Sequence, residues 1–304
     1  MSKPKRHHFV AQMIQKRFVD ADGKVWAYDC RTPGRGLFQE KPSGFMLQGH
    51  LYSEVAEDGK ADTSLETDFA KLESAADPIV ERMVVGARKG KLPNFDQRET
   101  NIWIEFFIQQ IRRVPDNFDG LITIERMREV LDIEIPRLRS EGHKISAEAE
   151  TAFRGEDNLK RQIQNIRILN LRGWGAWLKL AERNRSFSLA YIPNPKKSFI
   201  LSSSPVGRLL PGVFTESKPG VMQNWFPIAP DVACAVHGQE FQSKLIEVGT
   251  VKVRALNEAL TRQSTIIASK SEELVSSLSK MVGTAKPSRE MLEHVDASLT
   301  SAAG

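Results

Sequence analysis

The chain has 304 residues, 40% of them apolar and 27% charged, with a formal charge of +5; such a composition builds a sizeable core and excludes a disordered chain. Two cysteines, Cys30 and Cys234, stand far apart with no second ligand nearby, which excludes a disulfide framework or a cysteine-based zinc site and fits a reducing compartment. No apolar run approaches the roughly 20 residues needed to cross a bilayer, so no membrane partner is expected.

The chain opens on Arg6-His7-His8-Phe9-Val10-Ala11-Gln12 and runs on to Phe18, pairing two of its six histidines. This start carries no continuous apolar signal-peptide core, so a cytoplasmic location is expected. Lys24 to Asp29 alternates as a strand, and Leu37-Phe38 pairs back on it as a hairpin. Residues 41–62 read as irregular, with His50-Leu51-Tyr52 the best short strand. A helix begins near Ser64, capped by Ser64 or Thr63, with Leu65, Phe69, Leu72 and Ala76 on its apolar face. Pro78 is expected to kink or restart it. Glu66 and Glu73, seven apart, share a face about two turns from each other.

A second helix runs from about Asp96 to Arg113 and stops before Val114-Pro115. Its apolar face ends in Gln109, Gln110 and Arg113. Two readings of Arg113 stand: a buried guanidinium needing Glu66 or Glu73 as acceptor, or a surface group capping the helix C-terminus. A third helical stretch over 119–138 is expected to break at Pro136, and 139–157 to carry a loop. A fourth helix covers about Asn158 to Leu180, weakened at Gly173 and Gly175. Between Phe153 and Arg185 lie eight basic residues (Arg154, Lys160, Arg161, Arg167, Arg172, Lys179, Arg183 and Arg185) against three acids, Glu156, Asp157 and Glu182. Such a stripe suits phosphate, and Lys160, Arg161, Arg167 and Arg172 are the candidate nucleic-acid contacts; a solvated helix face carries the same residues.

Strands follow at 187–192, 198–202, 225–228 and 232–236. A helix at 248–261, a short strand at 265–268 and a helix at 271–281 complete the order. Strand-rich segments therefore flank a helical block. This predicts an α+β fold in which strands from the N- and C-terminal parts form a mixed sheet packed against the inserted helices. Residues 1–283 read as a single α+β domain with its helical block at about 64–182, and 284–304 as a poorly ordered tail.

Taken in order, these motifs resemble the bacterial domain-of-unknown-function family 4238. The opening box matches His7-His8-Phe9-Val10-Ala11-Gln12 to Phe18, and a Trp-x-Tyr-Asp strand matches Trp26 to Asp29. The paired glutamates match Glu66 and Glu73, and a Gln-x-x-Arg-x-Pro helix end matches Gln110, Arg113 and Pro115. A Phe-Ile-x-Ser-Asp-x-Pro-Val element matches Phe199 to Val206, a Pro-Leu-Ser-Pro element matches Pro227 to Pro230, and a helical asparagine matches Asn257. The resemblance implies a fold-sized unit and a set of candidate residues, with no mechanism attached. Two positions depart from the pattern. Ala11 replaces proline, and Ser203 replaces aspartate; serine is no carboxylate base, but it can make the local backbone bonds of a turn.

The candidate site residues are His7, His8, Glu66, Glu73, Gln110 and Arg113, with Ser203 at the family's aspartate position. The first reading is a non-catalytic binding or interaction module, in which these side chains form a buried polar network: His8 bonded to one glutamate and Arg113 to the other. The alternative is a nuclease-like phosphodiester hydrolase. There histidine moves a proton, carboxylate orients it, and arginine stabilises charge on phosphate. Nucleic acid as partner and a divalent metal as cofactor enter only with that chemistry. In an extended strand His7 and His8 face opposite ways, so one of them belongs to a compact site, and His8 is the choice. No helical histidine pair, Walker loop, Rossmann fingerprint or nucleophile elbow is visible. Exposure separates the readings: a catalytic set faces a cleft and a structural one is sealed.

Overall fold

The computed structural model describes residues 6–55, 61–115, 122–172, 186–210, 212–214, 223–237 and 242–284. The N-terminal part holds β1 (Arg6–His8), α1 (Gln12–Gln15), β2 (Val25–Asp29), β3 (Phe38–Glu40), β4 (Leu47–Gly49), β5 (Glu54–Val55) and β6 (Ala61–Asp62). The helices are α2 (Ser64–Arg88), α3 (Gln97–Arg112), α4 (Ile124–Ser140), α5 (Ala147–Arg154) and α6 (Glu156–Arg172). Then come β7 (Ser186–Tyr191), β8 (Leu201–Ser202), β9 (Gly207–Leu209), β10 (Gln223–Ala229), β11 (Val232–His237) and β12 (Leu245–Glu247). Helix α7 (Thr250–Arg262), β13 (Ile266–Ser269) and α8 (Glu272–Leu278) complete the order.

The chain has the expected α+β architecture, and its two ends do meet in a sheet. Strand β13 lies between β2 and β8 in the order β3-β2-β13-β8, with Trp26 opposite Ser269 and Ile267 opposite Ser202. A second sheet, β12-β7-β11-β10-β9, is mixed because β12 runs parallel to β7 while the other pairs are antiparallel. The strand period of two divides the core between the two faces of this sheet. Phe226 packs on Trp103, Phe106 and Phe107 of α3, whereas its neighbour Trp225 belongs with Leu256 and Leu260 of α7. Strand β2 divides in the same way, Val25 and Ala27 facing the first core, Trp26 and Tyr28 the second. Gly207 lets α7 approach β9 closely: a Cβ there would stand 2.6 Å from Leu256 Cδ1.

Local chemistry accounts for the helix ends. Asp96 accepts from Glu99 N–H while the Glu99 carboxylate accepts from Asp96 N–H, a reciprocal capping box that starts α3. Ser271 caps α8 by accepting from Leu274 N–H. Three expectations need correction. Helix α4 runs unbroken through Pro136, and α2 continues through Pro78 without restarting. In both, packing of the apolar stripe outweighs one missing N–H per proline. The polar stretch expected as a loop contains α5, whose Ser146 accepts from Ala149 N–H above the first-turn acids Glu148 and Glu150. His50 to Tyr52 is a turn, not a strand, with His50 at φ +53°. The continuation of α6 to Leu180, the glycines at 173 and 175, and the tail from residue 285 lie outside the described residues.

Candidate functional site: a histidine–glutamate–arginine network

Strand β1 pairs antiparallel with β4, placing His7 opposite Gln48 and His8 opposite Leu47. Adjacent strand residues point to opposite faces, and the two histidines separate accordingly. His7 turns inward. Its Nδ1 accepts from the Tyr52 N–H at 3.0 Å, and its Nε2 lies 3.1 Å from Glu66 Oε2. With Nδ1 acting as acceptor, the proton of the neutral ring sits on Nε2, facing the carboxylate. The ring stacks on Tyr52 at 5.4 Å, and Tyr52 meets the edge of Phe69 at 4.9 Å. The Tyr52 hydroxyl donates to the His8 carbonyl at 3.3 Å. Burial pushes its phenol well above the ordinary range, so it remains a neutral donor.

Glu66, Phe69 and Glu73 lie along one face of α2, and the second glutamate receives Arg113. Arg113 follows α3 as its C-cap, with its side chain turned into the protein. Its Nη1 is 2.5 Å from Glu73 Oε1, its Nη2 donates to Gln110 Oε1 at 3.1 Å, and its guanidinium carbon stands 5.7 Å from the Phe69 ring centre. Gln110 Oε1 also accepts from the Ala11 N–H at 3.3 Å. The opening box is thus tied to α2 through His7 and to α3 through the Ala11 backbone, and Arg17 adds exposed ion pairs to Asp77 and Glu81 of α2. Gln15, fully buried, closes the same corner by donating to the Val10 carbonyl at 2.8 Å.

His8 faces the other way. Its Nε2 lies 3.0 Å from the Pro42 carbonyl and 3.2 Å from Gln12 Nε2. Burial lowers its proton affinity most; the Pro42 carbonyl and Glu73 oppose that shift, while Arg113 and Lys16 add to it. The glutamate contact expected of His8 falls instead to His7, whose Nε2 stands 3.1 Å from Glu66 Oε2. Register decides this, because β1 directs His7 towards α2. Arg113 takes the buried alternative.

Exposure is uneven across the set. The side chains of His7 and Arg113 are 0% and 1% exposed, those of Glu66 and Glu73 36% and 24%. The nitrogen groups are sealed and the carboxylates reach the edge. Among the described residues, no group of three or more histidine, cysteine, aspartate or glutamate side chains is placed to hold a metal ion.

Ser203 lies apart from these contacts, at the end of β8. Its Oγ accepts from the Thr265 and Ile266 N–H groups at 3.0 and 3.1 Å, and its own N–H donates to the Ile266 carbonyl at 2.8 Å. Asn257 plays a similar part on α7, accepting from Ile200 N–H and donating to the Ser198 carbonyl. The basic residues of α6 mostly meet their own chain. Lys160 pairs with Glu156 at 2.6 Å, Arg161 donates to Asn158, and Arg167 is buried. Arg172 joins Glu54 and Asp62. Lys179, Arg183 and Arg185 lie outside the described residues.

Tyr52, Gln15 and the Pro42 carbonyl were not legible as partners. Tyr52 meets His7 across 45 positions of sequence, with no local pattern to announce it. The model of a family described as a protein of unknown function (DUF4238) matches residues 6–280. The chain belongs to this family. In this DUF4238 member the candidate polar residues fall into two physical groups, the network joining β1 to α2 and α3, and the polar bonds joining β8, β13 and α7. No curated protein and no solved structure matches the chain.

Proposed function

We propose that this DUF4238 protein is a non-catalytic binding or interaction module, with the His7–Glu66 and Glu73–Arg113–Gln110 contacts fastening its opening segment onto α2 and α3. The sealing of His7 and Arg113 carries this reading. A proton-transferring histidine needs a ring nitrogen that substrate can reach, and Nδ1 of His7 already accepts from backbone. A phosphate-stabilising arginine must likewise face its substrate. The proposed setting is the bacterial cytoplasm; no helix among the described residues is long and apolar enough to cross a membrane.

A second reading, the nuclease-like hydrolase, draws on one observation: Glu66 and Glu73 keep 36% and 24% of their side chains open, with the field of Glu73 reaching the half-buried His8. A divalent metal would belong to that reading alone. Lys160, Arg161 and Arg172 would serve nucleic acid only by leaving their present partners. The test incubates the purified protein with labelled single- and double-stranded DNA and RNA, with and without Mg²⁺ or Mn²⁺, beside His8→Ala. The module reading expects intact substrates, with a band shift if nucleic acid is the partner. Cleavage lost in His8→Ala would overturn it in favour of the hydrolase.

A further inference from the structure

We propose that the outer face of α4 is a two-fold interface between two copies of this chain, formed by antiparallel pairing about Ile133. Helix α4 carries two stripes at helical spacing. The inner one, Met127, Leu131, Ile135 and Leu138, is buried or half-buried where α4 packs on α5 and α6. The outer one comprises Arg126, Glu129, Val130, Ile133, Pro136 and Arg137, all exposed, with Ile133 at 67% and Val130 at 40%. Spacings of three, four and seven residues put these six on one face. Seven large apolar side chains are exposed among the described residues, and four of them (Val130, Ile133, Phe153 and Leu169) belong to α4, α5 and α6. Val130 and Ile133 stand one turn apart on the outer face of α4, so exposure there is paired rather than single.

The charge pattern selects the partner. Glu129 and Arg137 stand four residues either side of Ile133, Val130 and Pro136 three either side. A two-fold axis through Ile133 therefore sets Glu129 opposite the second copy's arginine, twice over, and packs Val130 on proline. That self-complementarity is what an isologous contact requires. A parallel pairing would set Glu129 against glutamate and Arg137 against arginine, which like-charge repulsion disfavours. Arg126 now pairs with Glu129 at 2.7 Å, and Arg137 with Glu134 and Glu141. All are exposed pairs of small net worth, so exchanging them across the axis costs little.

The test is sedimentation velocity on the full chain over a concentration series. The expected mass rises with concentration to twice the 34.1 kDa of one chain. Ile133→Asp is expected to remain monomeric with an unchanged far-ultraviolet circular dichroism spectrum, because the side chain is exposed. Glu129→Arg should abolish dimers, and adding Arg137→Glu should restore them. Under oxidising conditions Ile133→Cys should form a covalent dimer, since the axis brings the two thiols together. Val251→Cys, at the 82% exposed Val251 on α7, should not. A monomer at every concentration would overturn the proposal, whatever other protein the face serves. A dimer that survives Ile133→Asp, or charge reversal without rescue, would overturn the stated register.

Discussion

Replacing Arg113 separates a structural network from a site held open for substrate. Arg113→Met keeps most of the apolar stem and removes the guanidinium from Glu73 and Gln110. Breaking a buried ion pair from one side costs about 3–5 kcal/mol, mostly through the charge left behind. Glu73 keeps 24% of its side chain in water and rehydrates in part, so the expected loss is at the lower end, about 3 kcal/mol. Glu73→Gln leaves the Arg113 cation sealed without its carboxylate, with only amide oxygens as acceptors, and should cost at least as much, about 3–5 kcal/mol. The double variant should lose less than the two singles together, with a coupling of about 1.5 kcal/mol. Equilibrium urea unfolding followed by tryptophan fluorescence measures all four corners of the cycle. A loss below about 1 kcal/mol in Arg113→Met, or simple additivity, would refute the claim that this contact fastens the opening segment to the helices.

Three further outcomes follow from the geometry. Burial holds the His8 imidazole below its ordinary 6.5, so as pH falls the unfolded chain takes up that proton first. The stability given by the neutral ring is complete above about pH 6.5 and is lost as pH drops through the lower folded value. His8→Gln should therefore flatten the slope of urea-derived stability on the acid side of pH 6.5. His237, lowered by the same cause, should keep its own share, and an unchanged slope in His8→Gln would contradict the assignment. Ser203→Ala strands two backbone donors on β13 and should cost about 2–4 kcal/mol, whereas Ser203→Asp, still an acceptor there, should unfold at a urea midpoint closer to wild type. Gly207→Ala places a methyl against Leu256 and Leu260 and should lower stability by about 1–3 kcal/mol through overpacking, read as a drop in thermal midpoint.

The parts of this fold legible in the sequence were those governed by short-range rules. The helical spacing of apolar residues from Asp96 to Arg113 announced α3, the alternation in Lys24 to Asp29 announced β2, and the seven-residue spacing of Glu66 and Glu73 put both carboxylates on the face that receives His7 and Arg113. Pro136 misled the reading. Pro78 and Pro136 each remove one donor, and long helices held by an apolar face absorb that loss. Arg167 misled it once, since basic residues near one another in sequence look like a surface stripe, yet the face of α6 that Lys160 and Arg167 share is covered at Arg167 and open at Lys160. The choice between His7 and His8 was out of reach because it depends on which side of β1 meets α2. That is set by pairing with β4, about forty residues away. Ser146 with Glu148 and Glu150 did announce α5; the surrounding polar composition hid it.

The sheet that joins the two ends also dictates an order of assembly. Trp26 waits for Ser269, 243 positions later, and β13 alone separates β2 from β8. On a ribosome, β2 and β3 emerge early and wait through the synthesis of α2 to α6 with one strand edge unsatisfied. Loop-closure entropy makes such distant pairing slow, and an open edge held that long invites association with other nascent chains. Any chain ended before residue 266 therefore lacks one of the two inner strands of this sheet, leaving β2 and β8 without their shared neighbour.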